Sequence, residues 1–429
     1  MGISSIFLLC NCNSAITEKS SKTVYIQNSP NGYQLIRNGK PFLIKGAGGD
    51  SFSPELRAAG ANTVRIYDTL NLKSKLDALD SLGLAAVIDI HLPKYFGNNG
   101  LVYRTPEHRD TLKRVIEKFI VRYKDHPAVL FWILGNEVYE PELFANDFTD
   151  VFNSLVEIIH KIDPNHPVTT TVSSSGLSKV MGMLLKSPDL DFISINNFGA
   201  LNDFEYDKKI LFFWQKPYLI SEWGIHGPWE VNQTDWAAPL ELSSTAKAEK
   251  YRESYLNYIK PIDDGRILGS LVFFWGQKQE RTHTWFSAFT RDGAKTQVVF
   301  EMERIWKEKP EKFNGAGITS LTLNGKVANQ NIILNGGNEV KANLQFQSPL
   351  NNFTPQIHWE IKPENWNIFP NQIEKEPATL AQFITNDGTG ELIFMAPKGE
   401  GPYRLFVEFS DQNNYVSTAN IPFYVIPQK

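Results

Sequence analysis

Two glutamates end apolar stretches of this chain and could act together in one reaction. Glu137 closes the run Phe131–Glu137, and Glu222 lies within Pro217–Gly224. Each run is typical of a strand covered on both faces, whose side chains need not alternate, so that the carboxylate at its end lies at the rim of a core. A carboxyl group placed there can acquire the raised pKa that a proton donor needs near neutral pH. Two such groups are what hydrolysis of a glycosidic bond requires, because one protonates the leaving oxygen while the other attacks the anomeric carbon or activates water.

Further polar and aromatic side chains stand at the ends of the predicted strands, where a barrel places its catalytic groups. The candidates for substrate contact are Arg65, His91, Asn136, Asn197, Trp223 and Trp275. Plainer roles stay open, since Arg65 could be a structural ion-pair partner, His91 a core histidine and Trp275 ordinary barrel packing. The eight histidines lack the paired spacing of a zinc helix, so we expect no metal and no cofactor.

The scaffold for these residues is a regular alternation of strands and helices that begins near Val24. A hairpin is predicted over Val24–Gln27 and Tyr33–Arg37. Eight strand candidates follow: Phe42–Gly46, Asn62–Tyr67, Ala85–His91, Val129–Glu137, Pro167–Val172, Phe192–Asn197, Pro217–Glu222 and Leu268–Trp275. Helical spacing separates them at Ser53–Ala59, Leu72–Leu82, Thr105–Tyr123, Phe144–Ile162, Ser175–Lys186, Ser244–Ile259 and Thr296–Lys307.

This alternation predicts an α/β fold, a closed (β/α)8 TIM barrel. An open doubly wound sheet would give a similar pattern, but the first strand is not followed by a glycine-rich phosphate fingerprint. Beyond residues 309–317 the chain shows only short alternating runs and turn signals, which predict an all-β immunoglobulin-like sandwich. The runs are Thr319–Leu323, Gln330–Leu334, Val340–Gln345, Gln356–Ile361, Leu392–Ala396, Tyr403–Phe409 and Asn420–Val425. The predicted divisions are a signal and tether at 1–23, the barrel at 24–308, a linker at 309–316 and the sandwich at 317–429. Removing the sandwich should then leave the active-site residues in place.

Composition restricts the partners. A chain of 429 residues is long enough for two domains, and a net charge of −4 argues against nucleic acid as a partner. The 10 Trp, 15 Tyr and 28 Phe supply flat rings that can hold sugar faces, although most such rings serve as core. A polysaccharide or oligosaccharide is therefore the expected partner, and we expect a monomer.

The N-terminus carries both cysteines of the chain, Cys10 and Cys12, so the folded body has no disulfide. A short apolar run ends at Cys12 and a polar stretch follows, as in a bacterial lipoprotein signal with Cys12 lipidated. The missing basic residue before the run and Asn11 beside the cysteine count against such a signal, and a disordered N-terminus is the alternative. We expect an exported lipoprotein of the outer membrane or cell surface, with the periplasm as the alternative and membrane contact only through the lipid.

Taken together, Trp132–Glu137 and Pro217–Gly224 resemble the retaining β-glycosidases of clan A, and in particular the barrel of glycoside hydrolase family 2. The segments Asn38–Gly46 and Thr63–Tyr67 match the lead into its first strand and its second strand. The resemblance spans about Val24–Lys307.

The resemblance implies a role for each matched residue. Glu137 would be the acid/base and Glu222 the nucleophile. Asn136 would form a hydrogen bond with the 2-hydroxyl of the sugar, and Arg65 would lie beside the nucleophile. Trp275 would form the base of the subsite that holds the cleaved sugar. Arg65 should keep Glu222 ionised, which leaves Glu137 as the carboxyl expected to titrate high. A tyrosine after the sixth strand often bonds the nucleophile in this clan, and Phe198 stands at that position here.

The layout, a barrel followed by one β-domain, resembles glycoside hydrolase family 158, the surface β-1,3-glucanases of gut Bacteroidetes. A barrel with few surrounding walls should have an open groove, so the prediction is an endo-β-1,3-glucanase whose subsites are lined by the loops after the seventh and eighth strands. One alternative is an exo-acting enzyme of family 2 type, such as a β-galactosidase, β-glucuronidase or β-mannosidase. The other is a surface protein that binds carbohydrate without cleaving it.

Overall fold

The structure is a computed structural model that describes residues 23–94, 100–138, 146–173, 182–183, 185–199, 201, 214–315, 317–347, 355–366, 374–386, 388–410 and 414–428. Its centre is a closed barrel of eight parallel strands in which each strand pairs with the next and the last pairs with the first. The strands are Ile44–Gly48, Thr63–Ile66, Ala85–Ile90, Val129–Asn136, Val168–Ser173, Ile193–Asn196, Tyr218–Trp223 and Ile267–Val272. All eight predicted barrel strands are therefore present, and the TIM barrel is confirmed.

The predicted hairpin lies at the end of the barrel opposite the two glutamates. Val24–Ser29 pairs with Gly32–Arg37, which in turn pairs with the short strand Lys40–Pro41. Val24 and Leu35 share one apolar cluster with residues at the beginnings of the barrel strands, such as Ile44. The hairpin thus closes one end of the barrel and leaves the other end for the site.

Helices cover the outside of the barrel. They run over Ser53–Ala58, Leu72–Ser81, Leu101–Arg104, Pro106–Tyr123, Asn146–Ile162, Ser244–Ser254 and Gln297–Lys307, and a π-helical turn at Tyr255–Ile259 extends the sixth. The predicted helix Ser175–Lys186 lies largely outside the described residues. Within the described part of the chain, no helix has the length and apolarity that crossing a bilayer requires.

The C-terminal domain is built from two sheets that share one apolar core. Its strands are Gly317–Leu323, Ile333–Asn335, Glu339–Gln347, Gln356–Pro363, Ala381–Thr385, Glu391–Met395, Gly401–Ser410 and Val416–Ile426. Seven of them match predicted runs. Ala381–Thr385 was missed because it is an edge strand with half-buried and exposed side chains, which leaves little apolar alternation to detect. The immunoglobulin type of this domain stays a prediction.

A buried polar network joins the C-terminal domain to the barrel. Arg404, which is 1% exposed, donates to the carbonyl of Pro239 at 2.9 Å, to Asn420 Oδ1 at 2.6 Å and to Glu364 Oε1 at 2.8 Å. The Nδ2 of Asn420 donates in turn to Glu241 Oε2 at 2.6 Å. Glu241 also pairs with the buried Lys247 of the barrel, so hydrogen bonds from Arg404 and Asn420 link an ion pair of one domain to an ion pair of the other.

The loop after the eighth barrel strand forms a second contact between the domains. Arg281 donates through its backbone N–H to Glu374 Oε2 at 2.7 Å and through Nη1 to the carbonyl of Asn365 at 3.2 Å. Thr282 and Thr284 of the same loop donate to Glu241 at 2.6 and 2.8 Å. Because this loop also borders the site described below, the structure argues against the expectation that removing the C-terminal domain leaves the site in place.

Replacing Arg404 with methionine should test this coupling. The substitution leaves Glu364 without its buried cation and removes the hydrogen bonds to Asn420 and to the carbonyl of Pro239. The loss of one partner from a buried ion pair costs about 3–5 kcal/mol. Chemical denaturation of Arg404→Met and of the exposed control Arg114→Met measures the difference. If the two variants unfold alike, the network does not hold the domains together.

Candidate active site

The carboxyl ends of the barrel strands meet at a cavity of about 850 Å³ that contains both predicted acids. The described residues that line it are Gly49, Asp50, Tyr67, Asp68, Asn136, Glu137, Ser173, Asn196, Asn197, Phe198, Glu222, Trp229, Glu230, Phe273, Phe274, Lys278 and Glu280. Glu137 follows the fourth strand, and Glu222 lies at the end of the seventh. The two carboxylates that the sequence singled out therefore share one site.

Glu222 is held from beneath by a buried ion-pair network. The Nη1 of Arg65 donates to Glu222 Oε1 at 3.0 Å, and the Nε and Nη2 of Arg65 donate to the two carboxylate oxygens of Asp89 at 3.0 and 2.8 Å. Arg65 is fully buried and does not line the cavity. The prediction that Arg65 contacts substrate is therefore wrong, because its guanidinium is used up in positioning Glu222. Asp89 was missed as a site residue although it ends the third strand beside His91.

Asparagine side chains connect this network to Glu137. The Nη2 of Arg65 donates to Asn136 Oδ1 at 2.8 Å, and the Nδ2 of Asn196 donates to Glu137 Oε1 at 2.7 Å. Since the oxygen of Asn136 is occupied, its amide N–H groups, which have no partner among the described residues, are left to donate to a ligand. Asn196 was also missed, since nothing in its Asn-Asn sequence distinguishes a bridging side chain from its neighbour.

Glu137 adopts a backbone conformation that is unusual for a residue with a side chain. Its φ angle is 54°, in the left-handed region, and the preceding Gly135 has φ 79°. Such strain persists only where the surroundings hold it, and here the N–H of Glu137 donates to the carbonyl of Thr171 at 2.9 Å. The turn brings the Glu137 side chain, half-buried, into the cavity beside Asn136.

The pKa of the Glu222 carboxyl differs from the one that the sequence predicted. Burial raises the pKa of Glu222 to about 7, Arg65 opposes this rise, and the negative charge of Glu137 adds to it. The sequence predicted that Arg65 would keep Glu222 ionised, whereas burial outweighs the effect of Arg65 and raises the pKa of Glu222. The reason is that Glu222 is only 6% exposed, so desolvation acts on it most strongly.

Tyr67 lies beside Glu222, and its approach helps to lower the pKa of that carboxyl. Its hydroxyl is buried and makes no complete hydrogen bond within the described part of the chain, and its ring packs 4.7 Å beneath the guanidinium of Arg65. Gly48 provides the space, since a Cβ there would stand 2.1 Å from the Tyr67 hydroxyl. With Phe198 at the position where the clan often has its tyrosine, Tyr67 from the second strand is the phenol nearest the nucleophile among the cavity-lining residues described. The sequence indicates Tyr67 only as the end of the second predicted strand.

Replacing Tyr67 with phenylalanine should raise the pKa of Glu222, because it removes a group that lowers it. The ionised form of Glu222 would then appear at higher pH, so the acidic limb of the kcat/KM profile should move to higher pH. Because each unit of rise in that pKa lowers the ionised fraction of Glu222 about tenfold at a pH below it, kcat/KM near neutral pH should fall. Tyr255→Phe, on the outer side of the barrel, is the matched control. An unchanged acidic limb in Tyr67→Phe would contradict this role.

Two predicted sugar-contacting tryptophans do not reach the cavity. Trp275 is completely buried, packs on Phe289 and Trp306, and donates from Nε1 to the carbonyl of Phe52 at 3.1 Å. Trp223 is 1% exposed and packs against tyrosines of the sixth helix and the turn that extends it. Both predictions of substrate contact are therefore wrong, because at these strand ends the indoles turn outward into the layer between strands and helices.

Phe273, Phe274 and Trp229 supply the aromatic surface of the cavity instead. Trp229 is 60% exposed and comes from the loop after the seventh strand, as predicted for that loop. The sequence could not choose between Phe273, Phe274 and Trp275, because the direction of a side chain just beyond a strand end depends on the local turn. Trp285 of the next loop is buried, so that loop lines the site only in part.

Asn197 lines the cavity that contains the two glutamates, whereas His91 lies outside it. Asn197 is 1% exposed, lines the cavity, and donates from its backbone N–H to the carbonyl of Glu222 at 2.7 Å. His91 is exposed and lines an adjoining cavity of about 450 Å³, which shares Tyr67 and Asn136 with the first. The structure thus brings Asn136, Glu137, Asn197 and Glu222 together and puts His91 at one side.

Comparison with known proteins agrees with this geometry. Residues 54–232 match the family described as glycosyl hydrolases family 2, TIM barrel domain. A β-glucuronidase of Streptococcus agalactiae is 25% identical over 312 residues, which cover 63% of this chain and 46% of that protein. A β-glucuronidase of Sus scrofa is 26% identical over 318 residues, 64% of this chain and 45% of that protein. The chain thus spans about half the length of the curated relatives it matches.

Solved structures show the same fold. Bacteroides uniformis β-glucuronidase 2, covalently bound to cyclophellitol-6-carboxylate aziridine, superposes with a TM-score of 0.51 at 16% identity and covers 94% of this chain and 48% of that chain. The β-D-glucuronidase of Dictyoglomus thermophilum gives a TM-score of 0.51 at 19% identity, with coverages of 68% and 54%. A match over 94% of the chain extends beyond the barrel, so a β-domain after the barrel does not single out a family 158 layout. The barrel of this chain is similar in sequence and in fold to the TIM-barrel domain of glycosyl hydrolase family 2.

Proposed function

We propose that this protein is a retaining β-glycoside hydrolase with Glu222 as nucleophile and Glu137 as acid/base. The observation that carries the proposal is the arrangement of the two carboxylates in one cavity, with Glu222 buried on Arg65 and Glu137 presented beside the amide of Asn136. A nucleophile, a proton donor and a hydrogen-bond donor to the sugar are the groups that a double displacement needs.

In the first step the ionised Glu222 attacks the anomeric carbon while the bond to the leaving oxygen breaks. The leaving oxygen takes its proton from Glu137, and the sugar becomes an ester of Glu222. Glu137, now a carboxylate, accepts a proton from water as that water attacks the same carbon, which releases Glu222 and a sugar of unchanged anomeric configuration. The free amide of Asn136 donates to the neighbouring sugar hydroxyl, a bond that strengthens as positive charge develops on the ring.

The choice of substrate follows the comparisons rather than the sequence analysis. The domain layout in the sequence favours an endo-β-1,3-glucanase, but the similar proteins are named β-glucuronidases, and they favour the exo-acting alternative of family 2 type. We therefore propose an exo-acting β-glycosidase that releases single sugars from a chain end or from a small glycoside.

An endo-acting β-1,3-glucanase is the second candidate, and one observation favours it. The adjoining cavity lined by His91, Pro93 and Lys94 continues from the first past Tyr67 and Asn136. The two together have more room than one pyranose needs, so further sugar units could bind on that side of Asn136.

A panel of substrates tests both candidates. The purified protein is incubated with 4-nitrophenyl β-glycosides and with a soluble β-1,3-glucan, and products are separated by chromatography. Single sugars alone support exo action, whereas a mixture of oligosaccharides supports endo action. ¹H NMR of the first product distinguishes retention from inversion. Binding of glucan without cleavage of any substrate would favour the non-catalytic alternative and remove the proposal.

Export, a lipid anchor at Cys12 and a monomeric state remain proposals, and Cys12 lies outside the described residues. Metabolic labelling with a palmitate analogue in a bacterial host tests the anchor, with Cys12→Ser as the variant that should lose the label and Cys10→Ser as the control that should keep it. Label that persists in Cys12→Ser would contradict the assignment.

A further inference from the structure

The charges of the side chains that line the cavity affect whether it can bind a charged sugar or an uncharged one. Six carboxylates line it within the described part of the chain: Asp50, Asp68, Glu137, Glu222, Glu230 and Glu280. The same set of lining residues contains a single cation, Lys278. Because a cleft with low-dielectric walls concentrates the field of its lining charges, this cavity repels anions.

Lys278 is not free to bind an anionic group. Its ammonium pairs with Glu280 Oε2 at 2.6 Å and stands 4.6 Å from the centre of the Phe273 ring. Glu280 is mostly buried, with 19% of its side chain exposed, so the pair is screened less than a surface pair. A ligand carboxylate would have to share this ammonium with Glu280, whose negative charge opposes its approach.

Two other cations near this cavity are also paired with carboxylates, and Lys94 lines the adjoining cavity but not this one. Arg65 is buried beneath the cavity floor between Glu222 and Asp89. Lys75 pairs with Asp50 at 2.6 Å and lies 3.5 Å from Asp68. Its single positive charge therefore offsets only one of these two negative charges. On the opposite side, Glu230 accepts from the backbone N–H groups of Gly199 and Gly227, which fixes its carboxylate beside the cavity.

We propose that the site accepts hexopyranosides with an uncharged C6 and discriminates against uronic acids. The inference rests on the proposed function and narrows it, because among the exo-acting alternatives it selects a β-galactosidase or β-mannosidase type of substrate over a β-glucuronide. It therefore separates this chain from the β-glucuronidases to which its barrel is similar. A neutral CH₂OH group meets the carboxylates as hydrogen-bond acceptors, whereas a COO⁻ group meets them as like charges.

Matched substrate pairs test the proposal on the full-length protein. The pairs are 4-nitrophenyl β-glucoside and β-glucuronide, β-galactoside and β-galacturonide, and β-mannoside and β-mannuronide, each differing only at C6. A β-1,3-glucan and its C6-oxidised form make the same comparison for endo action. We expect kcat/KM for the neutral member of the productive pair to exceed that of its partner by at least about tenfold, as one unscreened like charge within the cavity implies. A uronide cleaved as fast as its neutral partner, or faster, overturns the inference and leaves the proposed function standing.

Failure of the proposed function gives a different result. If neither member of any pair nor either glucan is cleaved, and Glu222 is not labelled by cyclophellitol aziridine or by its 6-carboxylate, the site is not a glycosidase and both proposals fall. Labelling of Glu222 by the neutral probe before the carboxylate probe supports both proposals, and the reverse order contradicts only the inference.

Glu280→Gln isolates the electrostatic cause. The variant removes one carboxylate from the cavity and frees Lys278, so the ratio of uronide to neutral activity should rise about tenfold. The control Glu303→Gln removes a carboxylate of the same kind that pairs with Lys307 and Lys309 on the last helix, outside the cavity-lining set, and should leave the ratio unchanged. Equal ratios in Glu280→Gln and Glu303→Gln would overturn the assignment of the discrimination to these charges.

Discussion

Replacing Glu222 with alanine should abolish turnover of every substrate that the wild type cleaves. Without the carboxylate no glycosyl ester can form, and removal of a catalytic nucleophile costs on the order of 10⁵- to 10⁶-fold in kcat. The side chain lies in a space that alanine leaves empty, and Arg65 still has Asp89 as its partner, so the fold should survive. Steady-state kinetics together with near-UV circular dichroism separate loss of chemistry from loss of structure.

Glu137→Ala should lower the rate of turnover less than Glu222→Ala does, and its effect should depend on the leaving group. Loss of a general acid costs about 10²- to 10⁴-fold, and the cost should shrink for a leaving group such as 2,4-dinitrophenolate that needs no proton. Azide should restore part of the rate by attacking the glycosyl ester from the space that the Glu137 side chain vacates, giving a glycosyl azide of retained configuration. The control is Glu230→Ala, which removes a cavity carboxylate with no assigned part in proton transfer. Normal turnover in either Glu222→Ala or Glu137→Ala would remove the central assignment.

The fold and the two acids could be predicted from sequence because strong local patterns encode them. Buried strands such as Ala85–Ile90 and Val129–Asn136 are nearly continuous apolar runs, and the terminal glutamates stand out against them. A closed barrel then brings all strand ends to one face, so any two polar strand ends become neighbours. This geometric rule needs no knowledge of side-chain direction, which is why Glu137 and Glu222 were correctly brought together.

The remaining site residues depend on side-chain direction and on depth, which the sequence does not encode directly. Arg65 and Trp275 are both at strand ends, yet one is buried beneath Glu222 and the other turns into the outer core. Tyr67 reaches Glu222 only because Gly48, on the neighbouring strand, leaves room for its hydroxyl. The raised pKa of Glu222 follows from its depth in the barrel, a quantity that emerges only after packing. The missed strand Ala381–Thr385 has the same explanation, since its pairing and not its composition makes it a strand.

Arg65→Met should have the second-largest effect, on stability as well as on activity. Arg65 is fully buried and is the cation that Glu222 and Asp89 share, so its removal leaves two carboxylates in the core without a counter-charge. Breaking a buried pair in this way costs about 3–5 kcal/mol. Because Arg65 lowers the pKa of Glu222, the variant should also hold its nucleophile protonated at neutral pH, and kcat/KM should fall while its acidic limb moves upward.

The pH dependence of unfolding distinguishes this cause from a simple packing defect. In the variant, the folded-state pKa of Glu222 and Asp89 lies further above the unfolded value, so the folded state binds more protons than the unfolded state between those values. Stability relative to wild type should therefore recover as pH falls from 7 towards 5, whereas a packing defect would give a pH-independent loss. Asp89→Asn combined with Arg65→Met provides the matched control, because it removes one of the two stranded charges and should regain part of the stability without regaining activity. A variant Arg65→Met that is destabilised equally at pH 5 and pH 7 would show that the guanidinium fills space but does not neutralise the two acids.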